Sequence, residues 1–177
     1  MIDINAELDK ERILLLLVPP FQYHQITTDL VRQLSKEKIC YITMNKTYLA
    51  VKEDLAKDGV DAKNIVFVDA ISKTIKQVKD RIDDSCICVS SPAALTEISL
   101  AIAEFMRRGY NHIIFDSLND LMIYEKKAPV TQFVLSMVNK LREADAYGMF
   151  YAVTLDENAG MLKQVGMFVD KVVEVHS

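Results

Sequence analysis

His112 to Tyr124 reads HIIFDSLNDLMIY. Three apolar residues, Ile113, Ile114 and Phe115, run into Asp116 and Ser117, after which apolar and polar residues mix as Leu118, Leu121 and Met122. A strand covered by helices on both faces reads as a continuous apolar run of this kind, and its carboxyl end is where open α/β sheets place ligands. Asp116 and Ser117 at that end have two readings. They form a metal-ligand pair, or Asp116 caps the helix that begins near Leu118 while Ser117 satisfies a local amide.

Working outward, the same grammar repeats. Before this strand, Leu95, Ile98, Ile102 and Phe105 give one apolar side of a helix opened by Ser91 and Pro92 and closed by Gly109, as a cap, a first-turn proline and a terminal glycine should. After it, Val130, Phe133, Val134, Met137, Val138 and Leu141 match a helical period. Further strands are expected at Ile13–Val18, Ile39–Thr43, Ile65–Val68, Cys86–Val89, Met149–Thr154 and Phe168–Val175. Helices are expected over Ile26–Lys36, from Asn45 or Thr47 to Gly59, over Ile71–Ile82, and around Met161–Val165. Lys73, Lys76 and Lys79 would share the outer face of the 71–82 helix, as a solvated face before an anion-binding stripe. Strands alternating with helices predict an α/β fold, a three-layer sandwich with a mainly parallel sheet flanked by helices. It forms one domain over 1–177, with 1–12 as an N-terminal arm or short helix and 13–177 as the core.

Bulk properties narrow the function classes. The net charge is -4 and the chain holds 177 residues, so no whole-molecule field draws it to nucleic acid or to an anionic membrane. The longest apolar run, Ile13 to Phe21, is far shorter than the ~20 residues of a membrane helix. Asp3, Glu7 and Asp9 stand where a signal peptide would be basic. Three cysteines make no disulfide framework and point to a reducing cytoplasmic setting. Cys86 and Cys88 form a C-x-C with few partners, so they read as buried strand thiols, and no metal is expected.

The loops must decide the function. No glycines follow the first strand, against a dinucleotide site, and no acidic residues stand there, against a phosphoacceptor receiver. Three segments are informative together: VPPFQYHQ (Val18–Gln25), CYITMNK (Cys40–Lys46) and IIFDSLNDL (Ile113–Leu121), closed by Phe168, Val169 and Asp170. On these the chain resembles, from about residue 13 to 175, the KaiC and RecA superfamily of P-loop ATPases, particularly the small archaeal KaiC-like proteins. The resemblance implies a RecA-like sheet, with Asp116 and Ser117 at the magnesium site and Asn45 where the family carries the glutamate that polarises the attacking water. Asn45 can orient water but cannot take its proton; its other reading is a helix cap.

The departures carry the functional expectation. A phosphate loop needs glycines, a lysine and a hydroxyl at G-x-x-x-x-G-K-[ST], and those positions hold Val18, Tyr23, His24 and Gln25. A non-glycine residue forced left-handed costs about 1 to 2 kcal/mol, and neutral His24 does not replace an ammonium. The expectation is therefore a catalytically inactive pseudo-ATPase, not an enzyme, needing no cofactor, with a vestigial nucleotide or magnesium site at Asp116, Ser117, Asn45, His24 and Gln25. Phe21, Tyr23 and His24 would then either plug the vacant site or form an interface at the former phosphate loop. The resemblance implies a homo-oligomer or another protein partner and a regulatory or scaffolding role in signalling or motility. The alternative keeps Mg-ATP, with Asp116 acting through magnesium and Lys46 on phosphate. A recombination accessory role ranks last, because the chain lacks a basic, aromatic-rich stretch.

Overall fold

The computed structural model describes residues 1–176. Its strands are β1 (Ile13–Leu17), β2 (Ile39–Thr43), β3 (Ile65–Asp69), β4 (Arg81–Ile82), β5 (Cys86–Cys88), β6 (His112–Asp116), β7 (Tyr147–Ala152) and β8 (Lys171–Glu174). Its helices are α1 (Ile4–Lys10), α2 (Tyr23–Gln33), α3 (Tyr48–Lys57), α4 (Ser72–Ile75), α5 (Leu95–Arg107), α6 (Leu118–Tyr124), α7 (Lys127–Glu143) and α8 (Ala159–Gly166).

The strands form one sheet in the order β4-β5-β3-β2-β6-β7-β1-β8, parallel throughout except for β4 against β5. Alternate side chains of each strand point to opposite faces. Ile13, Leu15, Cys40, Ile42, Ile113 and Phe115 pack under α5, α6, α7 and α8. Leu14, Leu16, Ile39, Tyr41, Ile114 and Tyr151 pack under α1, α2 and α3. The fold is thus the expected three-layer α/β sandwich.

Three segments differ from the sequence expectation. The helix expected over 71–82 stops at Ile75, because the chain turns back to lay β4 along the edge of β5, with Cys88 N–H donating to Asp80 O at 2.7 Å. That stretch is rich in β-branched residues, which pack well on a pleated surface. Its lysines consequently share no helix face, and Lys73 pairs with Asp80. Ser91 and Pro92 form a turn, with Ala94 N–H donating to Ser91 O at 3.0 Å, and α5 starts only at Leu95. Of the two readings of 1–12, the structure has the short helix: Asp3 caps α1, Ile4 and Leu8 are buried, and Ile4 N–H donates to Gln33 Oε1 at 2.9 Å. The last strand is shorter than expected, since Asp170 precedes it as an anchor. Its carboxylate accepts from Ile13 N–H at 3.0 Å and from Arg142 at 2.7 Å, fixing the start of β1.

Packing is close where α7 meets β7 at Gly148. A Cβ on Gly148 would lie 2.7 Å from Leu141 Cδ1 and 3.6 Å from Ile13 Cγ2, and both neighbours are fully buried. Gly148→Ala is expected to destabilise the protein by about 1 to 3 kcal/mol, the range for overpacking, read as a lower urea midpoint with an unchanged slope.

Candidate functional site

β6 delivers Asp116 to the carboxyl end of the sheet, beside Thr43 of β2. Asp116 is 7% exposed, and its two oxygens are each taken by a phenol: Tyr23 Oη donates to Oδ1 and Tyr41 Oη donates to Oδ2. Tyr41 reaches it from within β2, two residues before the strand ends. Tyr23 reaches it as the first residue of α2.

A third phenol belongs to this group. Tyr151, on β7 next to β6, is fully buried, and its hydroxyl has no hydrogen-bond partner among the described residues. Burial holds the Asp116 carboxyl above the usual carboxylate value, while the two phenols oppose that rise. Burial, and then the Asp116 charge, push the Tyr23, Tyr41 and Tyr151 phenols upward. The three phenols are therefore neutral at ordinary pH, and Tyr23 and Tyr41 act as donors.

The segment that leads into α2 is a tight turn. Val18 N–H donates to Ala152 O at 2.8 Å, Pro19 and Pro20 have no N–H, and Pro20–Gln22 form one turn of 3-10 helix. Gln22 N–H donates to Pro19 O at 3.2 Å and Tyr23 N–H to Pro20 O, so the turn runs straight into the helix. Phe21 projects from it fully exposed.

The other expected residues scatter around this centre. Ser117 caps α6, accepting from Asp120 N–H at 3.3 Å and donating to Asp120 Oδ2 at 2.5 Å; the Asp116–Ser117 peptide is cis. The Asp116 side chain is taken by the phenols and does not cap α6. Asn45 donates to Asp120 Oδ2 at 3.0 Å, and the cap of α3 is Thr47, whose Oγ1 accepts from Ala50 N–H at 3.2 Å. His24 faces Asp58 at 3.0 Å on the surface, and Gln25 is exposed. Lys46 pairs with Asp54 at 2.6 Å, an interaction that lowers the Asp54 pKa. Tyr23, His24, Tyr41, Lys46, Asp54 and Asp116 border a small cleft of about 80 Å³.

The structure thus joins Asp116 to Tyr23, and Ser117 to Asn45 through Asp120; His24 borders the cleft but pairs with Asp58, and Gln25 does not line it. Sequence reasoning missed Tyr41 and Tyr151. Their signal was a polar tip on otherwise apolar buried strands, ICYIT and MFYAVT, since a buried phenol usually seeks a partner. It also passed over Asp69, which is fully buried at the end of β3. Asp69 Oδ1 accepts from the amides of Ile71 and Ser72, both at 2.8 Å. Its Oδ2 accepts from Tyr48 N–H at 2.9 Å and Ser72 Oγ at 2.6 Å.

A search of curated proteins finds no match. Among solved structures, the chain is similar to a KaiC-like protein from the hyperthermophilic archaeon Pyrococcus horikoshii OT3, with a TM-score of 0.66 and 10% sequence identity. The likeness covers 92% of this chain and 70% of that one. At that identity it speaks for the fold, and with the eight-stranded sheet it makes the fold KaiC-like and RecA-like. A family model matches residues 9–177, and the chain belongs to that family, described as Family of unknown function (DUF7090).

Proposed function

We propose that this protein is a RecA-like domain without ATPase activity, a pseudo-ATPase that acts as a regulatory or scaffolding protein through contacts of its surface. The observation that carries the reading is the closure of Tyr23 onto Asp116. A magnesium nucleotide would need that carboxylate free and a ring of open backbone amides around its phosphates. Here both carboxylate oxygens accept from phenols. The amides of Val18, Gln22 and Tyr23 are bonded to main-chain carbonyls, and Pro19 and Pro20 offer none. Lys46, the cation best placed at the cleft, is paired with Asp54. In this reading Tyr23 plugs the site, and Phe21 beside it is left as the contact residue.

The first test is thermal unfolding with and without millimolar Mg-ATP, Mg-ADP or Mg-GTP. A ligand that binds only the folded state adds about 2.7 kcal/mol at a hundredfold excess over its Kd, roughly 5 °C or more for a chain of this size. The expected result is no shift with any nucleotide. A magnesium-dependent rise would make the protein a nucleotide binder with an unconventional phosphate site.

The state of Asp116 gives a second test. Because its folded pKa lies above the unfolded value of 3.8, the folded state holds the proton more tightly. Stability therefore falls as pH rises from 3.8 through the raised value. Asp116→Asn removes this slope and keeps one acceptor and one donor for the two phenols, so it should match or exceed the wild type at pH 7. Asp116→Ala leaves two hydroxyls unpaired and should cost about 1 to 3 kcal/mol for each buried group. Urea titrations of the three proteins between pH 3 and 8 compare them directly.

For the surface, Phe21→Ala should leave the melting temperature unchanged and lower the mass measured by light scattering at micromolar concentration. An unchanged mass would remove the interface.

A further inference from the structure

Two strands away from Asp116 in the sheet, a second polar cluster stands at the carboxyl ends of β3 and β5. Parallel register sets Asp69 beside Cys88, and Cys86 follows on the same face two residues earlier. One ligand atom from each of the three residues lies within 4.8 Å of the others, and all three residues are buried. The two sulfurs are 3.9 Å apart. In a tetrahedral zinc site with Zn–S bonds of about 2.3 Å, two thiolates stand roughly 3.8 Å apart. The thiols therefore already have the separation that one shared tetrahedral ion would impose.

We propose that Asp69, Cys86 and Cys88 form a binding site for a thiophilic divalent cation of the zinc class. Two thiolates supply the soft ligands that select such ions over magnesium or calcium. Asp69 is held in place by its backbone donors. Of its four hydrogen bonds, that from the Ser72 hydroxyl can rotate away and free a lone pair on Oδ2. The fourth position falls to water. Access runs from the sheet edge, where β5 is flanked by the two residues of β4 and by the exposed Asp83 and Asp84. Binding releases the two thiol protons to solvent, so affinity rises with pH. No redox change is involved. The third cysteine, Cys40, lies on the opposite face of the sheet among apolar side chains and has no part in the site.

Cobalt(II) is the probe, because cobalt thiolates absorb in the near ultraviolet and four-coordinate cobalt adds visible d–d bands. The full-length reduced protein is titrated with cobalt(II), then with zinc(II) as competitor, in weak buffer. Expected are one cobalt per chain, displacement by zinc, about two protons released per ion, and a higher melting temperature with zinc. Cys86→Ala and Cys88→Ala, small apolar replacements at buried positions, should each lose the thiolate absorption and the zinc-dependent shift. Cys40→Ala should keep both. A wild type that takes up no cobalt overturns the proposal, as does absorption that survives both Cys86→Ala and Cys88→Ala.

Discussion

A carboxylate taken out of water must find donors, and the central strand of this sheet ends on one. Asp116 is buried where β6 meets α2 and α6, and among the described residues the donors reaching its side chain are the phenols of Tyr23 and Tyr41. That requirement fixes the start of α2 against the sheet, because Tyr23 is its first residue. It also sets the depth at which the turn after β1 sits, because Pro20–Gln22 must deliver Tyr23 to that point. Hydrogen bonds to a charged acceptor are among the stronger ones in proteins. The end of the sheet that could serve a ligand is thus organised inward, around its own side chains.

The same solution recurs along that end of the sheet. Asp69 at the tip of β3 draws in three amides and a hydroxyl, tying the loops that precede α3 and α4. At the opposite end, where the strands begin, Asp170 ties the start of β1 to Arg142 at the end of α7. Asp116, Asp69 and Asp170 are therefore each a clasp between a strand and a helix, and the apolar layers between the clasps supply the bulk of the burial.

Much of the fold was legible, for identifiable reasons. Buried parallel strands such as Ile13–Leu17 and His112–Asp116 leave uninterrupted apolar runs, and α7 leaves a helical period over more than ten residues. The stretch after Ile71 was misread because its apolar spacing fits a helix, whereas the exposed edge of β5 offered a partner strand that no local pattern reveals. At the site, Asp116 and Ser117 could be singled out from their place after an apolar strand. Their partners could not, because Tyr23, Tyr41 and Tyr151 converge from three separate segments and periodicity says nothing of which side chains meet. The roles of Asn45 and Thr47 differ for a related reason: either could cap α3, and only the position of Asp120 on α6 drew Asn45 away.

The pairing of Asp116 with two tyrosines makes the sequence around it hard to change piecemeal. Introducing glycines and a lysine into Val18–Gln25 would leave Tyr41 and the carboxylate in their present grip. Removing Tyr23 alone would strand half of a buried acid, and removing Asp116 alone would strand two phenols. Residues in one hydrogen-bonded unit do not contribute additively, so truncating Tyr23 or Asp116 singly passes through a less stable protein, and only their concerted replacement avoids it. The Asp116 cluster therefore acts as a ratchet on the sequence, holding the end of the sheet in its closed form whatever the surface beyond it is selected to do.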